Sequence, residues 1–141
     1  MIIAATFAAL AASADAAHQI ADHLAQTDAM AVGKASPGRA GWAALARHVG
    51  VYHLIVAAMC GTAIAVLGLS VSPAGAAVGL AVSAATHALW DRRTPVRWLL
   101  EHTGSRQWAA TADRGIHGLY LSDQALHIGC LWLAVLLATV L

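Results

Sequence analysis

Four long apolar stretches, separated by shorter polar segments, dominate the pattern of hydrophobic and polar positions along the chain. They cover residues 2–24, 42–69, 73–90 and 118–141. A bilayer core of ~30 Å needs about 20 helical residues, and each stretch comes close to or exceeds that length. The pattern therefore predicts one all-α domain over residues 1–141, a polytopic membrane protein with four transmembrane helices in a bundle.

The connections between these stretches differ in length and polarity. Residues 34–41 contain Pro and Gly and predict a loop, whereas residues 70–73 predict a tight uncharged turn. Residues 91–117 form the longest and most polar connection. Within it, residues 95–102 predict a short interfacial helix with Trp98 as its membrane anchor.

Composition supports a membrane protein and excludes several other classes. Hydrophobic residues make up 60% of the chain and charged residues 11%, against about 45–50% and about 25% in soluble domains. A net charge of +1 without a basic stripe excludes nucleic acid as a partner. Two cysteines cannot form a disulfide framework, and we interpret Cys60 and Cys130 as small apolar fillers rather than ligands.

The basic residues predict the orientation in the membrane. All eight lie within residues 34–47 and 92–114, which belong to the first and third connections. The positive-inside rule makes this side cytoplasmic and places both termini outside. A secretory signal peptide cleaved within residues 11–16 is the alternative. It is disfavoured because no Lys or Arg precedes the apolar run, which also continues past those residues.

Ionisable side chains of all four predicted spans fall at a similar depth toward the cytoplasmic face, given a rise of 1.5 Å per residue. Each costs about 2.5–3.5 kcal/mol in a membrane span, so they should face the bundle interior and satisfy one another. On three spans they form i, i+4 pairs, a separation that places both side chains on one helix face. These pairs are His18 with Asp22, His87 with Asp91, and Asp123 with His127.

The second span offers two histidines, His48 and His53. They are five residues apart, or about 140° around a helix, so both cannot point at one centre. The spacing alone leaves the choice open. The ionisable side chains at this common depth form a polar layer. His23 is expected next to this layer, and His102 and His117 are expected in the polar connection.

Imidazole and carboxylate together suit zinc, manganese or iron. The layer predicts a mono- or dinuclear site for a divalent metal, with zinc as the expected ion. Asp22 or Asp123 is expected to act as catalytic general base. A metal-free polar network for packing or proton transfer is the alternative. The expected metal ligands are His18, Asp22, His48, His87, Asp91, Asp123 and His127.

Four ordered motifs resemble those of a bacterial and phage membrane-protein family known only as a domain of unknown function (number three-three-zero-seven). Residues 18–26, followed by Lys34, resemble its opening H-x-x-x-D-x-x-x-Q…K signature. Residues 47–52 resemble its second-span His segment, and residues 86–93 resemble its third-span H-x-x-x-D motif. Residues 121–127 resemble its closing D-Q-x-x-H motif.

The resemblance implies a multi-pass architecture in the bacterial inner (cytoplasmic) membrane, and it favours His48 over His53 as the second-span ligand. It implies no activity. The H-x-x-x-D motifs are also similar to those of zinc-dependent phospholipase C, P1-type nucleases and membrane-bound metal-dependent hydrolases, an analogy at the level of motifs.

These features predict a membrane-embedded metal-dependent hydrolase that acts on a lipid-like phosphoester or acyl substrate at the cytoplasmic leaflet. Arg92 and Arg93 would either hold a phosphate headgroup or anchor the cytoplasmic side. The alternative is a non-enzymatic membrane module that binds haem or metal ions, relays protons or serves as a helper subunit. Whether the chain is an enzyme stays open, as does a homo-oligomeric state. The lipid bilayer is the expected partner.

Overall fold

A computed structural model describes residues 2–141, which form seven helices and one two-stranded hairpin. The polypeptide is therefore all-α apart from that hairpin, as predicted. The elements are α1 (Ile2–His23), α2 (Asp28–Gly33), α3 (Gly38–Leu67), α4 (Pro73–Asp91), α5 (Thr94–His102), α6 (Arg106–Ala110), β1 (Ala112–Asp113), β2 (Ile116–His117) and α7 (Gly118–Val140).

The four long helices α1, α3, α4 and α7 form a bundle in which each packs against the next around a ring. The α4–α7 contact is the most extensive, α1 packs against both α3 and α7, and the α3–α4 contact is thinner. Every end of these helices lies within four residues of the corresponding end of a predicted stretch. The lengths and bounds of the apolar stretches therefore located the long helices.

Local signals set the ends of the turn between α3 and α4. The hydroxyl of Ser72 accepts a hydrogen bond from the Gly75 amide at 2.8 Å, and Pro73 occupies the first turn of α4. At the other side, Gly68 caps α3 in the left-handed conformation with φ 62°. These caps give the tight uncharged turn that the sequence predicts.

Two of the four predicted spans, α3 and α7, are long and apolar enough to cross a membrane. Their most apolar 18-residue windows have mean hydropathies of 2.0 and 1.5, yet only 11% and 22% of those windows is buried. A core helix of a soluble protein would be mostly buried, whereas large apolar side chains such as Leu54, Val66 and Trp132 face outward here. Helices α1 and α4 are richer in Ala and Gly and carry buried polar residues, so composition alone does not mark them as spans.

The polar connections fold back over one end of the bundle. Helix α2 packs against α3, α5 packs against α4 and α7, and α6 packs against α5 and α7. The interfacial helix predicted for residues 95–102 is α5. The sequence analysis did not identify α2, α6 or the hairpin, because each is shorter than two helical turns or consists of two-residue strands.

Small residues bring α4 and α7 into close contact. A Cβ added at Gly79 would lie 2.8 Å from the Ala134 carbonyl oxygen and 2.8 Å from the Ala138 Cβ. A Cβ at Gly75 would lie 2.6 Å from the Ala138 carbonyl oxygen. The two glycines therefore allow the backbones to approach closely, as small residues do in membrane helix pairs.

Replacing Gly79 with Ala tests this contact. The added methyl group has no space, so we expect Gly79→Ala to lower the free energy of unfolding by about 1–3 kcal/mol. Gly61→Ala is the matched control, because nothing lies within 4 Å of a Cβ at that position. Thermal unfolding in detergent measures both variants, and equal stability of the two would contradict the close α4–α7 packing.

Candidate metal centre

The four long helices bring acidic and imidazole side chains together at the end of the bundle that the polar connections cover. Within the described residues, two groups offer ligand atoms that all lie within 4.8 Å of one another. One group contains Asp22, His48, His87 and Asp91, and the other contains Asp91, Asp123 and His127. Asp91 belongs to both groups, so the two form one continuous cluster.

The first group has the dimensions of a ligand set around one ion. His48 Nε2 lies 3.1 Å from Asp22 Oδ1, 3.1 Å from Asp91 Oδ2 and 3.0 Å from His87 Nε2. His87 Nε2 lies 3.2 Å from Asp91 Oδ2. A tetrahedral zinc site with ligand distances of ~2.0–2.1 Å has edges of about 3.3 Å between ligand atoms. The observed separations are close to those edges.

The acidic oxygens of the cluster lack aligned hydrogen-bond donors. Asp22 Oδ1, both carboxylate oxygens of Asp91 and Asp123 Oδ1 are buried without a hydrogen-bond partner among the described residues. Buried polar atoms in native proteins are nearly always paired. One cation, the Lys34 ammonium, lies 2.6 Å from Asp91 Oδ1, so the three carboxylates carry more negative charge than it balances and could hold a further cation.

His127 has a defined tautomer that leaves one nitrogen free. Its Nδ1 lies 2.8 Å from the Asp123 backbone carbonyl, which can only accept, so Nδ1 carries the hydrogen. In neutral His127 the lone pair is then on Nε2, which is buried without a hydrogen-bond partner and lies 3.6 Å from Asp91 Oδ1. A backbone carbonyl holds many metal-binding histidines in this way.

Lys34 reaches into the same cluster from the segment between α2 and α3. Its side chain is only 7% exposed, and Nζ lies 2.6 Å from Asp91 Oδ1 and 3.6 Å from Asp22 Oδ1. Nζ also lies 3.4 Å from His48 Nε2. The sequence places Lys34 among the cytoplasmic basic residues and at the end of the opening motif, but neither feature predicted its contact with the cluster. The available signals were that Lys34 is the sole lysine of the chain and closes the opening motif.

Arg92 fixes the backbone that carries Lys34. Its Nη1 donates hydrogen bonds of 2.9 Å to the carbonyl oxygens of Lys34 and Ser36, and its guanidinium lies 4.8 Å from the centre of the Trp42 ring. Arg93 is exposed and lies 3.4 Å from the Ala31 carbonyl oxygen. The guanidinium of Arg92 thus binds the segment between α2 and α3, whereas that of Arg93 donates to α2 and lines the polar cavity beside the cluster.

The structure does not place His18 in either group, although the sequence analysis expected it to be a ligand. His18 Nε2 lies 3.0 Å from Gln124 Oε1, an acceptor, so Nε2 carries the hydrogen. His18 Nδ1 then accepts from the Tyr52 hydroxyl at 3.1 Å. The Gln124 amide donates to Asp22 Oδ2 at 2.8 Å. Both His18 nitrogens are therefore used, and His18 orients Asp22 through Gln124.

The other histidines lie outside the cluster. His53 Nδ1 donates to the Val49 carbonyl at 2.8 Å, and its Nε2 accepts from the Ser83 hydroxyl at 3.0 Å. This arrangement answers the choice that the spacing left open, because His48 lies inside the cluster and His53 does not. His23, His102 and His117, which the sequence places outside the polar layer, are exposed. Neither Cys60 nor Cys130 belongs to the two ligand groups.

A polar cavity of about 290 Å³ adjoins the cluster on its exposed side. Its walls carry acids from the cluster together with basic and amide side chains, which would contact a small polar or anionic molecule. Among its lining residues are Asp22, Lys34, Arg93, Tyr120, Asp123 and Gln124.

An apolar cavity of about 180 Å³ occupies the other half of the bundle. It is lined by side chains of all four long helices, including Leu10, Val56, Leu80 and Leu131. Val56 lies one helical turn from the buried Tyr52, so this cavity begins next to the polar layer. The cluster is thus flanked by a polar cavity and by an apolar one.

Comparison with known proteins gives a family but no activity. The family model described as "Protein of unknown function (DUF3307)" matches residues 16–141, and the chain belongs to this family. No curated protein and no solved structure matches the chain. The membership confirms the resemblance inferred from the four motifs, and the matched range includes the whole cluster.

Replacing Gln124 with Leu tests the chain of hydrogen bonds behind Asp22. The change leaves the His18 Nε2–H and Asp22 Oδ2 without partners, so we expect the free energy of unfolding to fall by about 1–3 kcal/mol. The control is Gln107→Leu on α6, where the glutamine is exposed. Denaturant unfolding in detergent measures both, and a loss no larger than that of the control would contradict this role of Gln124.

Proposed function

We propose that this member of the DUF3307 family binds a divalent metal ion at the cytoplasmic end of a four-span bundle and hydrolyses a lipid-like substrate in the bacterial inner membrane. The proposed ion is zinc, and the substrate carries a phosphoester or acyl bond. The proposed ligands are Asp22, His48, His87 and Asp91.

The observation that carries the proposal is the excess of buried acceptors in the cluster. Asp22, Asp91 and Asp123 contribute three negative charges and Lys34 contributes one positive charge, so the net charge is −2 with neutral histidines. An uncompensated buried charge costs several kcal/mol. One divalent ion brings the cluster to neutrality and can bind the carboxylate oxygens that lack an aligned hydrogen-bond donor.

The mixed donor set favours zinc. Two imidazole nitrogens and two carboxylate oxygens, all buried, are donors that zinc accepts in tetrahedral sites. Manganese and iron bind similar donors, so the metal content of the isolated protein decides among them. The pair His48 and His87 does not support haem, because their Nε2 atoms lie 3.0 Å apart and leave no room for an iron atom between two axial ligands.

A divalent ion in this place supplies Lewis acidity toward a phosphoryl or carbonyl oxygen. Asp123 is the proposed general base, because its Oδ1 has no hydrogen-bond partner and the residue lines the polar cavity. Asp22 is less suited, since it is one of the four proposed ligands and Gln124 holds its Oδ2 at 2.8 Å. The Arg93 guanidinium, which lines the same cavity, would bind an anionic part of the substrate.

Two features support a lipid-like substrate. The apolar cavity offers space for part of an acyl chain close to the cluster. The thin contact between α3 and α4 provides a route from the bilayer, because Ala57 and Gly61 on α3 and Leu80 on α4 line that cavity. A substrate could thus place its chain between the helices while its headgroup enters the polar cavity.

The charge distribution supports the four-span arrangement and its orientation. All eight basic residues belong to the end of the bundle that carries the cluster, whereas residues 68–72 at the opposite end carry no charge. Helices α1 and α4 have 22 and 19 residues, enough to cross a ~30 Å core at 1.5 Å per residue. The positive-inside rule then places the cluster at the cytoplasmic leaflet and both termini outside.

The second candidate is a non-enzymatic helper whose polar layer locks the bundle. The ion pair of 2.6 Å between Lys34 and Asp91 favours it, because a tethered cation already neutralises part of the cluster. The proposed enzyme binds metal and hydrolyses its substrate, whereas the helper catalyses no hydrolysis, so metal content and hydrolysis distinguish the two.

Elemental analysis of detergent-purified protein tests the metal site. We expect at least one equivalent of metal per chain in the wild type, and at least a tenfold weaker affinity in His48→Ala because a direct ligand is lost. His53→Ala is the matched control on the same helix, since its ring contacts Val49 and Ser83 instead. A metal-free wild type, or equal losses in the two variants, would refute the site.

Hydrolysis by Asp123→Asn tests the general base. The metal-loaded wild type should cleave a phosphodiester or carboxylic-ester amphiphile presented in micelles, and the variant should be slower by about 10²–10⁴-fold while keeping its metal. The control is Asp113→Asn, because the Asp113 side chain is 79% exposed in the hairpin. Absence of any hydrolysis by the metal-loaded wild type would favour the helper.

A further inference from the structure

We propose that the Lys34 ammonium is a built-in second cation, so that the centre holds one divalent ion and one lysine bridged by Asp91. The inference rests on the proposed metal site and specifies its stoichiometry. It also gives a role to the charged side chain that the sequence analysis did not place in the site.

The two oxygens of Asp91 face two different sets of partners. Oδ2 lies 3.1 Å from His48 Nε2 and 3.2 Å from His87 Nε2, which belong to the first ligand group. Oδ1 lies 2.6 Å from Lys34 Nζ and 3.6 Å from His127 Nε2. A carboxylate that bridges two metal ions divides its oxygens in this way. Here the cation found on the Oδ1 side is an ammonium.

The position of Lys34 is set by contacts that need no metal. Arg92 binds the carbonyl oxygens of Lys34 and Ser36, and the Arg92 guanidinium packs on Trp42. The backbone is therefore held where the side chain enters the cluster. Only 7% of the lysine side chain is exposed. Its ammonium therefore has few partners other than the acids and His48.

Charge balance favours one ion together with the lysine. The three acids Asp22, Asp91 and Asp123 contribute −3, Lys34 contributes +1, and one divalent ion contributes +2, which sum to zero. A second divalent ion beside Lys34 would leave a buried charge of +2, which is costly in a low-dielectric interior. Two ions would therefore require the lysine to leave.

Counting metal ions at saturating concentration tests the inference. We expect one ion per chain in the wild type and two in Lys34→Met, where the donors of Asp91, Asp123 and His127 become free for a second ion. The double variant Lys34→Met with His127→Ala should again bind one metal ion per chain. Arg97→Met, which removes an exposed positive charge, should keep one.

Each alternative count has a distinct meaning. Two ions in the wild type, or one ion in a folded Lys34→Met variant, would overturn the role of Lys34 while leaving the metal site intact. No ion in the wild type would overturn the proposed function, and this inference with it.

Amine labelling covers the case in which Lys34→Met does not fold. Lys34 is the sole lysine, so reductive methylation of the native protein reports on this side chain and, separately, on the terminal amine. We expect Lys34 to react at least about tenfold more slowly than in unfolded protein, both without metal and at saturating zinc, because labelling needs local opening. Fast labelling of Lys34 in the zinc-loaded protein would show that the ion displaces it and would overturn the inference.

Discussion

Three acids side by side at the end of a helical bundle, two of them buried and Asp123 largely so, impose the constraint on which the rest of this structure depends. Carboxylates tolerate burial only when cations or aligned donors compensate them. Asp22, Asp91 and Asp123 each come from a different helix, and within residues 2–141 one lysine is the only ammonium that reaches them. The surrounding imidazoles supply lone pairs rather than charge when they are neutral, so the cluster has the donors and the negative charge to hold a further cation.

The fold places and orients the groups that surround these acids. Gly75 and Gly79 allow α4 and α7, the third and fourth of the long helices, to pack closely along the apolar half of the bundle. Main-chain and amide groups then fix individual donors, since the Asp123 carbonyl sets the tautomer of His127 and Gln124 holds Asp22. Such outer contacts orient ligands in metal proteins and are part of the site.

The apolar lengths predicted most of the architecture and the i, i+4 spacing predicted the paired side chains, because both depend only on the sequence of each helix. The spacing of His48 and His53 also showed that only one could reach the centre. The spacing could not show which of the two histidines does so. That depends on the rotation of α3 against its neighbours and on Ser83, whose hydroxyl forms a hydrogen bond with His53. The family resemblance, rather than the spacing, favoured the histidine that the structure places in the cluster.

The contacts of His18 and Lys34, which the sequence did not predict, depend on tertiary partners. His18 shares a helix face with Asp22, but Gln124 from α7 comes between its ring and the cluster. Lys34 follows a six-residue helix, and it enters the site because Arg92 holds the adjoining backbone from 58 residues away. No local pattern encodes either contact.

X-ray absorption at the metal edge of zinc-loaded protein tests the central claim most directly, because it reports the atoms bound to the ion. The account predicts a first shell made only of nitrogen and oxygen at about 2.0–2.2 Å, with outer scattering from two imidazole rings. Sulfur in the first shell, or a shell without imidazole scattering, would contradict a centre built from His48, His87 and the buried acids.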